Sequence, residues 1–179
     1  VRNGIIGVGV ALLAILGYVW FRFEWQFGLG AIIATGHDVV LTVGLFVISG
    51  MEFNLTSIAA ILTIMGYSLN DTVVVYDRVR ENLRKYKKMP IVELLDLSMN
   101  QTLSRTVLTG ITSLMALGAL WLFGGEVIRS FVFAMLFGII VGTYSSIFVA
   151  GPLLILFKLR PGGTVADDEE AKLPAGKTA

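Results

Sequence analysis

A chain of 179 residues with 55% hydrophobic and 15% charged side chains and a mean hydropathy of +0.80 is too apolar for a soluble domain of its size. It has no cysteine, which excludes a disulfide framework, a thiolate metal site and a cysteine nucleophile, and its one histidine excludes a multi-histidine zinc site. The formal net charge of +1 conceals segregation, because the charges sit in a few short stretches separated by long uncharged intervals.

A spanning helix needs about 20 predominantly apolar residues. Five intervals meet that length, at about 4–23, 27–50, 54–77, 104–124 and 129–157, and backbone satisfaction in lipid makes all five helical. The expected fold is therefore an all-α membrane bundle of five transmembrane helices occupying residues 1–160. The second span holds His37 and Asp38 near its middle and the third holds Asp71. Between the third and fourth lies the loop 78–103, opening with RVRENLRKYKK. After Pro90, suited to a first helical position, Ile91, Leu94, Leu95 and Ser98 or Met99 recur at helical spacing. This segment reads as an interfacial helix whose basic lead attracts anionic lipid, or as a solvated connector helix. Residues 161–179 are polar and are expected to form a disordered tail.

Basic residues set the orientation. Arg22, the seven basic residues from Arg78 to Arg105, and Lys158 with Arg160 collect on one side, against Arg2 and Arg129 on the other. The positive-inside rule makes the long loop and the C-terminus cytoplasmic and places residue 1 outside. An external start with no leader predicts that an upstream span, and possibly an external domain, precedes Val1.

A carboxylate at the centre of a spanning helix costs about 2.5–3.5 kcal/mol on insertion scales, so its retention points to a function. Asp71 follows Asn70, shares a face with Tyr67 and Ser68, and lies near Gly66, which leaves room for a neighbouring helix. Arg105 opens the next span, and Thr102, Thr109 and Thr112 extend from it as one polar stripe expected to face the interior. Asp71 and Arg105 are expected to meet. Separation of the pair would then change the protonation of the carboxyl group, which is how a carboxylate carries a proton. His37 and Asp38, about 100° apart on their helix, are expected to order the bundle or line a water path through polar contacts, or to handle protons themselves. In the last span Gly138, Gly142 and Ser146 follow at intervals of four as a packing face, and Pro152 predicts a kink. No phosphate-binding loop occurs, so neither ATP nor any other cofactor is expected, with the proton as coupling ion.

The motifs FRFEWQFGLGAIIATGHDVVLTVG, GYSLNDTVVVYDRVREN, QTLSRTVLTGITS and LFGGEVIRSF, in this order over residues 4–158, resemble the SecF family. These are membrane subunits of the bacterial protein-export machinery within the resistance-nodulation-division superfamily. The resemblance implies six spans with an external domain after the first, residence in the inner membrane, and pairing with SecD beside the SecYEG channel. It implies no enzymatic activity and no nucleic-acid partner, but use of the proton-motive force to draw preproteins outward, with Asp71 matching the proton-handling Asp and Arg105 the basic residue of the following span. The alternatives are a fragment of a proton-coupled efflux transporter of that superfamily, a structural helper, and an aspartyl protease with Asp38 and Asp71 as its dyad. The last fits badly, since no GxGD motif occurs.

Overall fold

A computed structural model of the chain describes residues 25–157, Leu159 and isolated positions between 6 and 17. The described elements are all helical: α1 (Trp25–Ser49), α2 (Leu55–Lys85), α3 (Ile91–Phe123), α4 (Arg129–Phe148) and α5 (Ala150–Leu156). Four helical stretches, with α4 and α5 counted as one, are long and apolar enough to cross a membrane. The chain is accordingly a multi-pass membrane protein. The expected span at 4–23 and the tail at 161–179 lie, apart from the isolated positions, outside the described residues, so a fifth span is not among those described.

Local chemistry explains the boundaries. Gly50, with φ of 65°, turns the chain after α1, and Asn54 caps α2 by accepting from the backbone N–H groups of Thr56 and Ser57 while Ser57 Oγ accepts from the Asn54 N–H. Gly125, with φ of 75°, takes the left-handed conformation in the turn between α3 and α4. Pro152 has no N–H to donate and its ring crowds the carbonyl of Phe148, one turn back. The last span accordingly divides at Val149 into α4 and α5.

α2 is the central helix. Half of its most apolar window is buried, against 17% for α3, which lies at the edge of the bundle. α1 runs antiparallel to it, with Gly30 against Tyr76 and Asp38 against Ser68. α4 runs parallel to it, with Gly138 against Ile64 and Gly142 against Ser68. α5 continues the contact, where Tyr76 Oη donates to the Ala150 carbonyl at 2.9 Å. Tyr76→Phe would remove that bond from a fully buried site and is expected to cost about 1 kcal/mol. The fall would be read as a lower denaturation midpoint in detergent.

The connection between α2 and α3 corrects one expectation. The 31 and 33 residues of these helices make them roughly 46 and 50 Å long, well beyond a hydrocarbon core of about 30 Å. The segment expected as a separate interfacial helix is the first part of α3, and only residues 86–90 connect the two helices. The reason lies in the packing. Leu94, Leu95, Ser98, Thr102 and Thr106 form one buried row, so the face that seals the extension runs without a break into the face that packs the span. Polar bonds close the hairpin: Asn82 Nδ2 donates to Ser98 Oγ at 2.8 Å and to Gln101 Oε1 at 2.9 Å, and Arg78 Nε donates to Gln101 Oε1 at 2.8 Å.

Candidate functional site

Asp71 sits where α2, α3 and α4 meet and is 6% exposed. Thr106 Oγ1 on α3 donates to its Oδ1 at 3.1 Å, and Ser146 Oγ on α4 donates to its Oδ2 at 3.1 Å. Each carboxylate oxygen thus meets a hydroxyl from a different helix. α4 comes close enough because its stripe is small. A Cβ on Gly142 would stand 3.3 Å from Ser68 Cβ, and one on Gly138 would collide with the branched side chain of Ile64. Gly138, Gly142 and Ser146 are all buried on this face.

Asp38 is fully buried half-way along α1. Ser68 Oγ donates to its Oδ2 in a short bond, and Nδ1 of the half-buried His37 lies 3.1 Å from its Oδ1. Ser68 is three residues before Asp71 on α2, so both carboxyl groups border the same face of the central helix.

Other expected site residues make no hydrogen bond or ion pair with Asp71 among the described residues. Arg105 is exposed, and no ion pair joins it to Asp71 among the described residues. The side chain that reaches Asp71 is its neighbour Thr106, one position and about 100° further round the helix. The expected interior stripe is displaced with it. Thr102 is buried, but Thr112 is exposed, and Thr109 and Thr112 return their hydroxyls to the carbonyls of Arg105 and Leu108 on their own helix. Asn70 is exposed, about 100° round the helix from Asp71 and outside the buried face that carries Asp71 and Thr72. Gly66 is exposed too, and a Cβ there would meet nothing within 4 Å, so no helix approaches closely at that point. The close approach on α3 is at Gly110, beside Thr143 Oγ1 and Tyr67 Oη.

Thr106 as a partner of Asp71 and Ser146 as a donor were not anticipated. A signal for Thr106 exists in the sequence: Ser98, Thr102, Thr106 and Gly110 recur every four residues, a row of small side chains that suits a helix contact in lipid. Nothing in the spacing of Ser146 distinguishes a donor from a packing residue.

The helices, the glycine contacts and the enclosed acidic groups together define a polytopic α-helical membrane protein with two carboxyl groups sealed between its spans. Residues 1–160 match the family described as protein export membrane protein SecD/SecF, C-terminal. The chain is 57% identical over 160 residues to the protein translocase subunit SecF of Rickettsia akari (strain Hartford), covering 89% of this chain and 52% of that one. It is 57% identical over 167 residues to the protein translocase subunit SecDF of Brucella abortus biovar 1 (strain 9-941), covering 93% and 22%. A solved structure described as SecDF in super-membrane-facing form superposes with a TM-score of 0.83 at 47% identity, over 95% of this chain and 22% of that one. The chain belongs to the SecD/SecF family, and it spans about half the length of the SecF relatives it matches.

Proposed function

We propose that this chain is the membrane-embedded part of an auxiliary subunit of the Sec protein-export machinery, lying in the bacterial inner membrane. Paired with SecD beside SecYEG, it uses the proton-motive force to help draw preproteins outward. The observation that carries this reading is Asp71, an acidic group held at the junction of three spanning helices by one hydroxyl from each of two neighbours. The names of the relatives, translocase subunits SecF and SecDF, support the export role and the association with SecD.

In this mechanism Asp71 takes up and releases the proton that serves as coupling ion. Its two donors sit on α3 and α4, so a shift of either helix against α2 changes the hydrogen bonds of the carboxyl group and thereby its proton affinity. Conversely, loading and unloading the proton biases the helix arrangement. Arg105, next to Thr106 on the exposed face of α3, supplies the cationic charge when α3 turns toward the seam. The basic end of the bundle, with Arg84, Lys85, Lys87 and Lys88 exposed around the α2–α3 turn, faces the cytoplasm and anionic lipid headgroups.

The test is export into vesicles that contain SecYEG, SecD and the intact protein, with ATP held constant and a membrane potential applied. The potential should raise export only when the intact protein is present, and an equal rise in its absence would overturn the reading. Arg105→Leu is expected to lower the potential-driven rise roughly ten-fold while SecD still copurifies, since Thr102 and Thr106 continue to pack the seam.

A further inference from the structure

Proton exchange at Asp71 leaves a second enclosed carboxyl group without a role. Asp38 is 0% exposed, and a position needing only to pack would not retain so costly a group. The helix register shows what lies between the two. Gly30 faces Tyr76 and Asp38 faces Ser68, so in the same antiparallel register Thr35 faces Asp71. On the other flank Gly142 faces Ser68 and Ser146 bonds Asp71, which brings Ser145 to the same level. Thr72 stands one turn beyond Ser68 on α2.

Thr35, Thr72 and Ser145 are 3%, 0% and 0% exposed, and within the described residues their hydroxyls have no hydrogen-bond partner. That sets them apart from Thr42, Thr63, Thr102, Thr109 and Thr112, whose hydroxyls bond a carbonyl one turn back. An enclosed polar group left without a partner costs about 1–3 kcal/mol. Three of them at the level of two carboxyl groups form a site whose chemistry suits water, which makes about three hydrogen bonds when buried.

The geometry points to Asp38 as a second proton station, joined to Asp71 by water held among Thr35, Thr72 and Ser145 and by the Ser68 hydroxyl. This rests on the reading of Asp71 as the proton-exchanging group. Along the α2 axis the levels of the two stations differ by about one helical turn, ~5 Å. The O–H bond of one carboxylic acid breaks, each intervening water or hydroxyl accepts one proton and donates another, and an O–H bond forms on the other carboxylate. Water is the only co-reactant. Half-exposed His37, with Nδ1 against Asp38, stands at the α1 end of this path, away from the α3 side where Arg105 stands.

The experiment uses the intact protein with SecD and SecYEG in vesicles, reading both the potential-driven rise in export and the infrared carbonyl bands of protonated carboxyl groups. Asp38→Asn should lower the rise at least about ten-fold with SecD still copurifying, remove one carboxyl band, and shift the band that Asp71→Asn removes. A rise equal to that of the unaltered protein, or an unmoved Asp71 band, would overturn the second station. If Asp38→Asn fails to assemble, the double variant Thr35→Val, Ser145→Ala takes its place, since it removes water ligands and leaves both carboxyl groups. It should lower the rise, and no change would overturn the relay. Loss of the rise in Asp71→Asn with a silent Asp38→Asn sinks the relay alone, whereas a silent Asp71→Asn sinks the reading it rests on.

Discussion

Asp71→Asn is expected to abolish the dependence of export on membrane potential while leaving the bundle assembled. Asparagine keeps the volume of the side chain, accepts from Thr106 through its oxygen and donates to the Ser146 hydroxyl through its nitrogen, so packing at the three-helix junction survives. What it lacks is a titratable proton. Moving one elementary charge through 100 mV supplies about 2.3 kcal/mol, or about fifty-fold in an equilibrium constant, and that whole contribution should disappear. The measurement is export in vesicles at constant ATP with and without an imposed potential. A variant that responds to potential as the unaltered protein does would leave the chain a packing role only.

Gly138→Ala is expected to loosen the α2–α4 contact, the most extensive in the bundle. The added methyl would collide with Cδ1 and Cγ1 of Ile64 and stand 2.8 Å from its Cγ2. Ile64 is 0% exposed and branched, so it has no empty space to swing into. Overpacking of this kind costs about 1–3 kcal/mol. Because Gly142 meets Ser68 one turn further on, displacement of α4 also moves Ser146 away from Asp71. Unfolding in detergent should show the loss, and potential-driven export should fall with it. Ile64→Ala tests the cause: the double variant should be less destabilised than the two single losses added together, whereas simple additivity would mean that the contact is not the reason.

How much of this was legible in the sequence differs from residue to residue. Asp71 and Asp38 stood out because charge within an apolar run is expensive wherever the helix points. Gly138, Gly142 and Ser146 stood out because a spacing of four small residues describes one helix face regardless of its partner. Pro152 marked the break at Val149 through covalent geometry alone. Arg105 and Thr106 could not be told apart in this way. They are neighbours in sequence and about 100° apart in space, and charge complementarity favoured the arginine, while the packed helix turns the threonine inward. The same rotation moved Thr112 to the outside. Asn70 adjoins Asp71 in sequence and Gly66 is small enough to admit a neighbouring helix, yet both lie on the exposed side of α2. The extension of α3 back to Ile91 was hidden for another reason: the change from polar to apolar composition at about Thr102 resembles a boundary between elements, although the backbone hydrogen bonds continue through it.

The sequence by itself determined that four apolar runs within 25–157 are helical and which acidic residues lipid makes costly, because each follows from the length of an apolar run or from the solvation of charge. Only the tertiary structure decided which hydroxyl meets which carboxylate and which faces are enclosed. Those choices depend on the rotation of each helix about its own axis, and that rotation is set jointly by the small residues of α4 and the side chains of α2 that pack against them.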